Sequence, residues 1–255
     1  SYLCKTSIYD ILNNKLRYTL FALNEPPRYN AEGRSVHTFD TLNRRYIYIA
    51  KEKIIIHPLQ GKYTAQNNFP MDEENAIFDY ISSVEYNAKT DTIFALTSTD
   101  NFSFILLEID LTNGTTNIVS KNIDPDISPH VSTGWITDDD CLLFSVTKIN
   151  QPYLVRFDTK LKDLKYVKLQ GTLMDCWQYE HVSKSIFGIE KDNNTGNTTP
   201  HSSYYLVNLT IDNGVVLSRY LLSDLDNVNI VDAAVDHSNQ LFIVSIKPTN
   251  ITILD

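Results

Sequence analysis

Three side chains of this sequence could share acid–base or metal chemistry: Asp175, Asp232 and His37. Two carboxylates and an imidazole in one cavity could hold a divalent cation, because such ions take oxygen and nitrogen ligands. They could also form an acid–base pair, since neighbouring like charges push two pKa values apart. Whether these side chains meet depends on the elements that carry them.

Those elements belong to a degenerate repeat that occurs five times. Each copy opens with an aliphatic residue, passes through a polar turn and carries an aromatic residue in a second strand. The copies begin at Val36, Ile81, Val131, Met174 and Val231. The aromatic residues are Tyr48, Phe94, Phe144, Phe187 and Phe242. Two strands joined by a short polar turn indicate a hairpin.

A third and a fourth strand complete each copy. The third strand ends in an apolar residue and Asp, at Ile109-Asp110, Phe157-Asp158, Ile211-Asp212 and Leu254-Asp255. We expect the Asp carboxylate to cap backbone N–H groups of the following turn. The first copy departs from this pattern, with His57-Pro58 in place of the Asp step. Four antiparallel strands in about 45–50 residues are typical of propeller blades.

The third-strand motif also carries a resemblance. The segments LLEIDLTNGTT and, more loosely, YLVRFDTKLKD resemble the blade consensus of quinoprotein-type and YVTN-type β-propellers. The resemblance implies the fold and a habit of binding on the propeller axis, and it implies no reaction.

We therefore predict an all-β protein with a single β-propeller domain over residues 1–255. It has five four-stranded antiparallel blades, with six as the alternative. Leu16 to Leu23 would supply the outer strand of the last blade, so that the N-terminal strand closes the ring and removes an exposed sheet edge. The polar insertion from Glu190 to Ser203 is predicted to be a mobile loop, with a recognition loop as the alternative.

The repeat predicts a ligand-binding site on the axis. The residue after each opening aliphatic is polar, and five blades would place these residues in one ring: His37, Ser82, Ser132, Asp175 and Asp232. Sheets pack about 10 Å apart, near the upper end of the ~6.5–9.5 Å carboxyl separation of inverting glycosidases. The alternative is a polar channel lining satisfied by ordered water.

Three further residues join the predicted ligand site. Trp177 shares strand parity with Asp175, so it could stack on a sugar, although packing between blades is the alternative. His130 and Asp79 precede their first strands and could lie at the same rim. Asp138, Asp139 and Asp140 resemble a cation loop but fall in a hairpin turn, where a solvated turn is the simpler interpretation.

Composition excludes some partners. The formal net charge of −9 argues against a nucleic-acid ligand. No run of 18 apolar residues occurs, so membrane insertion is not expected. The cysteines Cys4, Cys141 and Cys176 form no CxxC pair. Six Asn-X-Ser/Thr triplets, at Asn101, Asn113, Asn193, Asn197, Asn208 and Asn250, favour a secreted glycoprotein over a cytoplasmic protein, weakly.

These observations predict a non-enzymatic binding module. Its axial channel mouth and rim loops would hold a protein, a peptide or a glycan, with no cofactor other than a divalent cation that the channel could accept. The alternative is a glycosidase-like hydrolase or a metal-assisted enzyme with an axial site of Asp175, Asp232 and His37. No P-loop, dinucleotide fingerprint, nucleophile elbow or HExxH motif supports another enzyme class.

Overall fold

The structure is a computed structural model of the 255-residue chain. It describes the backbone of the strands given below and the side chains of part of the chain. Side chains are described for residues 36–40, 42–50, 54–56, 58, 81–97, 104–112, 115–122, 124, 126–127, 134–171, 177–191 and 203–223. The chain divides into two compact units, Ser1–Thr99 with Ile105–Val119, and Asp100–Phe104 with Ser120–Asp255. Among the described residues, no helix is long and apolar enough to cross a membrane.

The first unit contains a hairpin and the strands of two four-stranded sheets. The hairpin pairs β1 (Cys4–Asp10) with β2 (Lys15–Leu23). Blade 1 has the order β3-β4-β5-β6, formed by His37–Asp40, Arg45–Ala50, Lys53–Pro58 and Asn67–Pro70. Blade 2 has the order β10-β9-β8-β7, formed by Ile81–Asn87 (β7), Thr92–Thr99 (β8), Phe102–Asp110 (β9) and Thr116–Asn122 (β10). The ends of β9 and β10 cross the division between the units.

The second unit contains three sheets. Blade 3 consists of β11 (Ile127–Pro129), β12 (Trp135–Ile136), β13 (Cys141–Lys148), β14 (Gln151–Asp158) and β15 (Asp163–Lys168), and both β11 and β12 pair with β13. Blade 4 has the order β16-β17-β18-β19, formed by Asp175–Glu180, Ser185–Asn194, His201–Thr210 and Val216–Leu221. A three-stranded sheet follows, with β20 (Asn229–Asp236), β21 (Leu241–Lys247) and β22 (Asn250–Leu254).

The second strand of each blade forms much of the core, as the repeat predicts. The aromatic residues Tyr48, Phe94 and Phe144 are at most 2% exposed. Within the first unit the first strands β3 and β7 lie against each other, and within the second unit β16 and β20 do the same. Blades 1 and 2 therefore meet along their first strands, as do blade 4 and the three-stranded sheet. The predicted all-β architecture of four-stranded antiparallel blades is confirmed.

The Asp residues after the third strands cap their turns as expected. The Asp110 Oδ1 atom accepts a hydrogen bond from the backbone N–H of Thr112 at 2.7 Å. The Asp158 Oδ1 atom accepts one from Lys160 N–H at 2.8 Å. This local bond explains why Asp recurs at the start of these turns.

The predicted number of blades differs from what the structure shows. Four sheets have the blade arrangement, against the five or six predicted, and the fifth repeat contributes the three strands β20 to β22. The strand predicted to complete this last sheet, β2, pairs with β1. A four-residue connection separates β1 from β2, and a short loop costs little closure entropy compared with joining the two chain ends.

The predicted loop from Glu190 to Ser203 is largely strand at both ends. In blade 4, β17 extends to Asn194 and β18 begins at His201, and these two residues are paired. The insertion thus lengthens a hairpin. Its strand residues have polar side chains, and a hairpin ladder satisfies their backbone groups whatever their hydrophobicity.

Candidate functional site

The two predicted acidic residues occupy equivalent places on neighbouring first strands. Asp175 on β16 pairs with Ile189, the fourth residue after the hairpin position Ser185. Asp232 on β20 pairs with Ser245, the fourth residue after Leu241. The two backbone positions therefore have the same register within their own sheets, on two first strands that lie against each other. The side chains of both Asp residues lie outside the described ones.

A β-bulge lies at or next to this register position in three first strands. The pairing register shifts between Ile81 and Ser83 in β7, between Asp175 and Gln178 in β16, and between Ile230 and Asp232 in β20. Bulges re-aim side chains and are over-represented next to binding sites. The same irregularity thus recurs near the fourth paired position in three sheets.

His37 and Ser82 do not share the register of the two Asp residues. His37 pairs with Tyr48, the third residue after Arg45, so it lies one step further along its strand. Its exposed side chain packs against Phe39 and Tyr46, with ring centroids 5.7 and 5.4 Å apart. Ser82 lies in the β7 bulge and donates a hydrogen bond to the backbone oxygen of Leu96 at 3.0 Å.

Trp177 has the environment of a core residue. It is 0% exposed and stacks on Trp135, with centroids 6.0 Å apart and planes inclined by 17°. The bulge between Asp175 and Gln178 breaks the alternation of side chains. The alternation that would place Trp177 on the same face as Asp175 is interrupted here, and the burial of Trp177 favours packing over stacking on a sugar. Ser132, His130 and Asp79 lie outside the described residues.

The hairpin turns carry ion pairs that link adjacent blades. Arg156 contacts Asp139 of its own blade at 3.3 Å and Asp212 of blade 4 at 2.6 Å. His181 of blade 4 lies 2.8 Å from Asp138 of blade 3. Asp138 and Asp139, predicted as part of a solvated turn, thus take part in contacts between sheets. Within the described part of the chain, no group of three His, Cys, Asp or Glu side chains could hold a metal ion.

The outer strand of blade 4 exposes three large apolar side chains. On β19, Leu217 is 57% exposed, Tyr220 is 61% exposed and Leu221 is 56% exposed. The outer strands β10 and β15 carry exposed lysines instead, Lys121 on β10 and Lys165 and Lys168 on β15. Charged side chains on an edge strand prevent pairing with other chains. Blade 4 lacks lysine on this strand.

The one charged side chain of β19 is directed back across its own sheet. The guanidinium carbon of Arg219 lies 3.4 Å from the ring centroid of Tyr205 on β18. Its Nε atom donates to Glu190 on β17 at 2.7 Å. This interaction neutralises the charge and keeps it away from the outer side of β19. Sequence reasoning missed this surface, although the apolar residues of VVLSRYLL without a lysine were a usable signal.

Comparison with known proteins supports the fold. No protein-family model and no curated protein matches the sequence. The fold is similar to that of TolB. The solved TolB from Acinetobacter baumannii matches with a TM-score of 0.64 and 12% identity, over 98% of this chain and 57% of the TolB chain. This chain therefore spans little more than half of the length of TolB.

Two other solved structures give the same result at lower similarity. A luciferin-regenerating enzyme matches with a TM-score of 0.55 and 8% identity, over 86% of this chain and 71% of that chain. A protein from Lactobacillus plantarum matches with a TM-score of 0.52 and 9% identity, over 98% and 76% of the two chains. At these identities the likeness shows the β-propeller fold alone, and a fold shared by proteins of different function assigns no reaction.

Proposed function

We propose that this chain is a non-enzymatic binding module that holds a partner protein. The observation that carries the proposal is the outer strand β19, which combines exposed apolar side chains with a charge turned away from the edge. Exposed, uncharged edge strands accept an additional strand, and β-strand addition is a recurring mode of peptide recognition.

The backbone of β19 is oriented for this mode. The N–H group of Leu222 donates to Tyr204 at 2.8 Å, while Leu221 is the partner of Tyr205. This pattern makes Tyr205 and Leu221 a non-hydrogen-bonded pair of the antiparallel ladder. The N–H and C=O groups of Leu221, and by alternation those of Arg219, therefore point away from β18 and can pair with another chain.

The occupant is an extended, apolar segment of a different protein with neutral or basic character. Each copy of this chain has a formal charge of −9, so pairing of two copies through β19 would bring two acidic molecules together. A neutral or basic segment avoids that repulsion. Main-chain hydrogen bonds would give affinity, and contacts with the exposed Leu217 and Leu221 would give selectivity.

Peptide binding tests this proposal directly. The probe is a fluorescein-labelled peptide of alternating Val and Thr with a Lys at each end, followed by fluorescence anisotropy. We expect binding that Leu221→Lys weakens about tenfold or more, because it restores a charge to the edge. Leu221→Pro removes an outward N–H without removing a bond to β18, and it should weaken binding to a similar degree.

The control is Leu161→Lys, which makes the same substitution at a residue that is 78% exposed in a hairpin turn of blade 3. It should leave the affinity unchanged. Equal binding by wild type, Leu221→Lys and Leu221→Pro would overturn the proposal. So would light scattering that shows a dimer of the free chain broken by Leu221→Lys, since the occupant would then be a second copy.

The equal register of Asp175 and Asp232 favours a second candidate function at the axial mouth. It requires one propeller domain over residues 1–255 with five blades, closed by the N-terminal strand. The mouth and rim would then hold a peptide or glycan through His37, Ser82, Ser132, Asp175, Asp232, His130 and Asp79, while the buried Trp177 stays in the core. The alternative use is a divalent cation or a hydrolase-type acid–base pair of Asp175 and Asp232 with His37.

Calcium or manganese titration, with Asp232→Asn as the variant, and a glycan array test these uses. A blank array and no metal binding would remove this candidate.

A further inference from the structure

A surface cavity of about 450 Å³ lies beside blade 3 in the second unit. Its walls come from the end of β10, from Asp124 and from β11, β13, β14 and β15. The lining residues are Asn122, Asp124, Ile127, Lys148, Tyr153 and Tyr166. The volume falls in the range of about 300–1,000 Å³ that is usual for small-molecule sites.

Hydrogen bonds among the lining residues fix the walls. Lys148 Nζ donates to Asp124 Oδ2 at 2.7 Å. Asn122 Nδ2 donates to the Tyr166 hydroxyl at 2.9 Å, and the backbone N–H of Asp124 donates to Asn122 Oδ1 at 2.8 Å. The backbone N–H of Ile127 donates to the Asp124 carbonyl at 3.1 Å. These bonds tie Asn122 and Asp124 to the wall that Lys148 and Tyr166 form.

The remaining hydrogen-bonding capacity of these walls consists mainly of donors. The Lys148 ammonium has three N–H groups, and Asp124 takes one of them. The Tyr166 oxygen accepts from Asn122, which leaves its O–H as a donor. Among the described residues, the Tyr153 hydroxyl has no hydrogen-bond partner. Asp124, by contrast, already accepts through both oxygens, from Lys148 and from the N–H of Asp126.

The apolar part of the lining is aromatic and aliphatic. Ile127 is 7% exposed, and the rings of Tyr153 and Tyr166 form the walls on the blade side. A ligand for this cavity therefore needs strong acceptors for the donor groups and an apolar body for the rings. Ionised carboxylates accept charge-assisted N–H bonds from Lys and O–H bonds from Tyr.

The geometry points to a binding site for a carboxylate with an apolar or aromatic body. Lys148 and the hydroxyls of Tyr153 and Tyr166 would donate to the carboxylate, and Ile127 would contact the apolar part. Such a carboxylate occurs in free aryl or alkyl acids and at the C-terminus of a peptide. The site does not depend on strand addition at β19, so either proposal can fail while the other stands.

The ion pair with Asp124 limits the affinity of the site. Asp124 competes for Lys148, and its negative charge repels a second carboxylate at close range. The variant Asp124→Asn frees the ammonium and removes the repulsion while keeping a side chain of the same shape. It should therefore bind a carboxylate more tightly than the wild type does.

The test uses two acid–amide pairs on the full chain, with affinity measured by isothermal titration calorimetry. The first pair is 4-phenylbutyrate and 4-phenylbutyramide. The second is an acetylated tripeptide ending in Phe, with a free or an amidated C-terminus. We expect an acid to bind, its amide to bind at least tenfold more weakly, and Lys148→Met to weaken the acid about tenfold. Tyr166→Phe should weaken the acid by a smaller factor.

The matched control is Lys165→Met, which removes the same charge from exposed β15 outside the cavity. It should leave the affinity for the acid unchanged. Binding of 4-phenylbutyrate assigns a free acid, and binding of the peptide acid alone assigns a peptide terminus. Equal binding of acid and amide, no binding of either acid, or weaker binding by Asp124→Asn would each overturn the proposal. The opposite directions expected for Lys148→Met and Asp124→Asn separate a site effect from loss of folding.

Discussion

Arg45 connects blades 1 and 2 with charge-assisted hydrogen bonds. It lies 2.6 Å from Asp40 and 2.5 Å from Asp91, and it donates to the Tyr86 hydroxyl at 2.8 Å. Asp40 is fully buried, and it also accepts two hydrogen bonds from Asn43. Burial, together with the hydrogen bond to Asp91, raises the pKa of Tyr86 to about 12. Hydrogen bonds and ion pairs within this cluster therefore fix the positions of its polar side chains.

The variant Asp40→Asn should lower the free energy of unfolding by about 3 kcal/mol at neutral pH. It removes a buried charge partner of Arg45 and turns an acceptor into a donor. Burial acts to raise the pKa of Asp40, but hydrogen bonds from Asn43 and Arg45 outweigh it and hold the pKa below 3.8. The stabilisation is therefore complete above pH 3.8 and is lost as the pH falls through the folded-state value.

Urea unfolding at a series of pH values measures this difference. The gap between wild type and Asp40→Asn should shrink as the pH falls below 3.8, because the wild-type carboxyl becomes protonated. Asp163→Asn, at an exposed position of blade 3, is the control and should cost less than about 0.5 kcal/mol. A gap that stays constant down to the acid transition would contradict the ionic role of Asp40.

Hydrogen bonds and ion pairs of individual residues were predictable from the sequence only where the two residues are close along the chain. The capping hydrogen bonds of Asp110 and Asp158 span only two residues, so the turn motif predicts them. The bond between Arg45 and Asp91 joins positions 46 residues apart and depends on how two sheets pack. The cavity donors Lys148 and Tyr166 could not be predicted either, because the residues that line the cavity with them, such as Asn122, are far away along the chain.

The hairpin that joins β18 to β19 depends on a glycine at an unusual backbone angle. Gly214 has φ of +68°, and a Cβ atom built there would lie 2.3 Å from the backbone oxygen of Lys168. The Gly214 carbonyl accepts a hydrogen bond from Gln170 N–H at 3.0 Å. The turn of blade 4 therefore lies directly on the backbone that leaves blade 3.

The variant Gly214→Ala should destabilise the protein by more than about 2 kcal/mol, because it adds a backbone clash to the left-handed strain of a Cβ residue. Gly171→Ala is the matched control, since φ is +93° there but the added Cβ would make only an ordinary 3.5 Å contact with Glu190. It should cost about 1–2 kcal/mol. Chemical denaturation of the two variants gives the comparison, and equal losses would mean that the approach to Lys168 can relax.

At the scale of strands, the repeat predicted pairing well and missed irregularities. Hairpins with buried second strands follow from the alternation around Tyr48, Phe94 and Phe144. The bulge after Asp175 adds one residue to β16, and no sequence signal marks it. Strand alternation does not carry across an added residue, so it does not predict the face of Trp177 from that of Asp175. The pairing of β2 with β1 differs from the predicted ring closure because strands joined by a short connection pair locally, whereas closure needs strands from opposite ends of the chain.

Blades 3 and 4 share one hydrophobic core. Leu143 and Leu154 of blade 3 pack in a single cluster with Trp177, Ile186 and Val207 of blade 4. Trp135, from the short strand β12, packs against the same cluster and stacks on Trp177. Sheets that bury a common cluster gain little by folding separately, so these two blades should unfold together.

The two tryptophans of the chain make this cooperativity measurable. Trp135→Phe leaves Trp177 as a reporter of blade 4, and Trp177→Phe leaves Trp135 as a reporter of blade 3. Val155 on β14 is 0% exposed and alternates with the cluster residue Leu154, so Val155→Ala perturbs blade 3 without touching the tryptophan pair. It should cost about 2 kcal/mol.

In urea unfolding followed by fluorescence, both reporters should record the same loss, because one transition removes the shared core. A loss recorded by Trp135 and not by Trp177 would mean that blade 4 keeps its structure while blade 3 unfolds, and the common cluster would then not couple the two sheets.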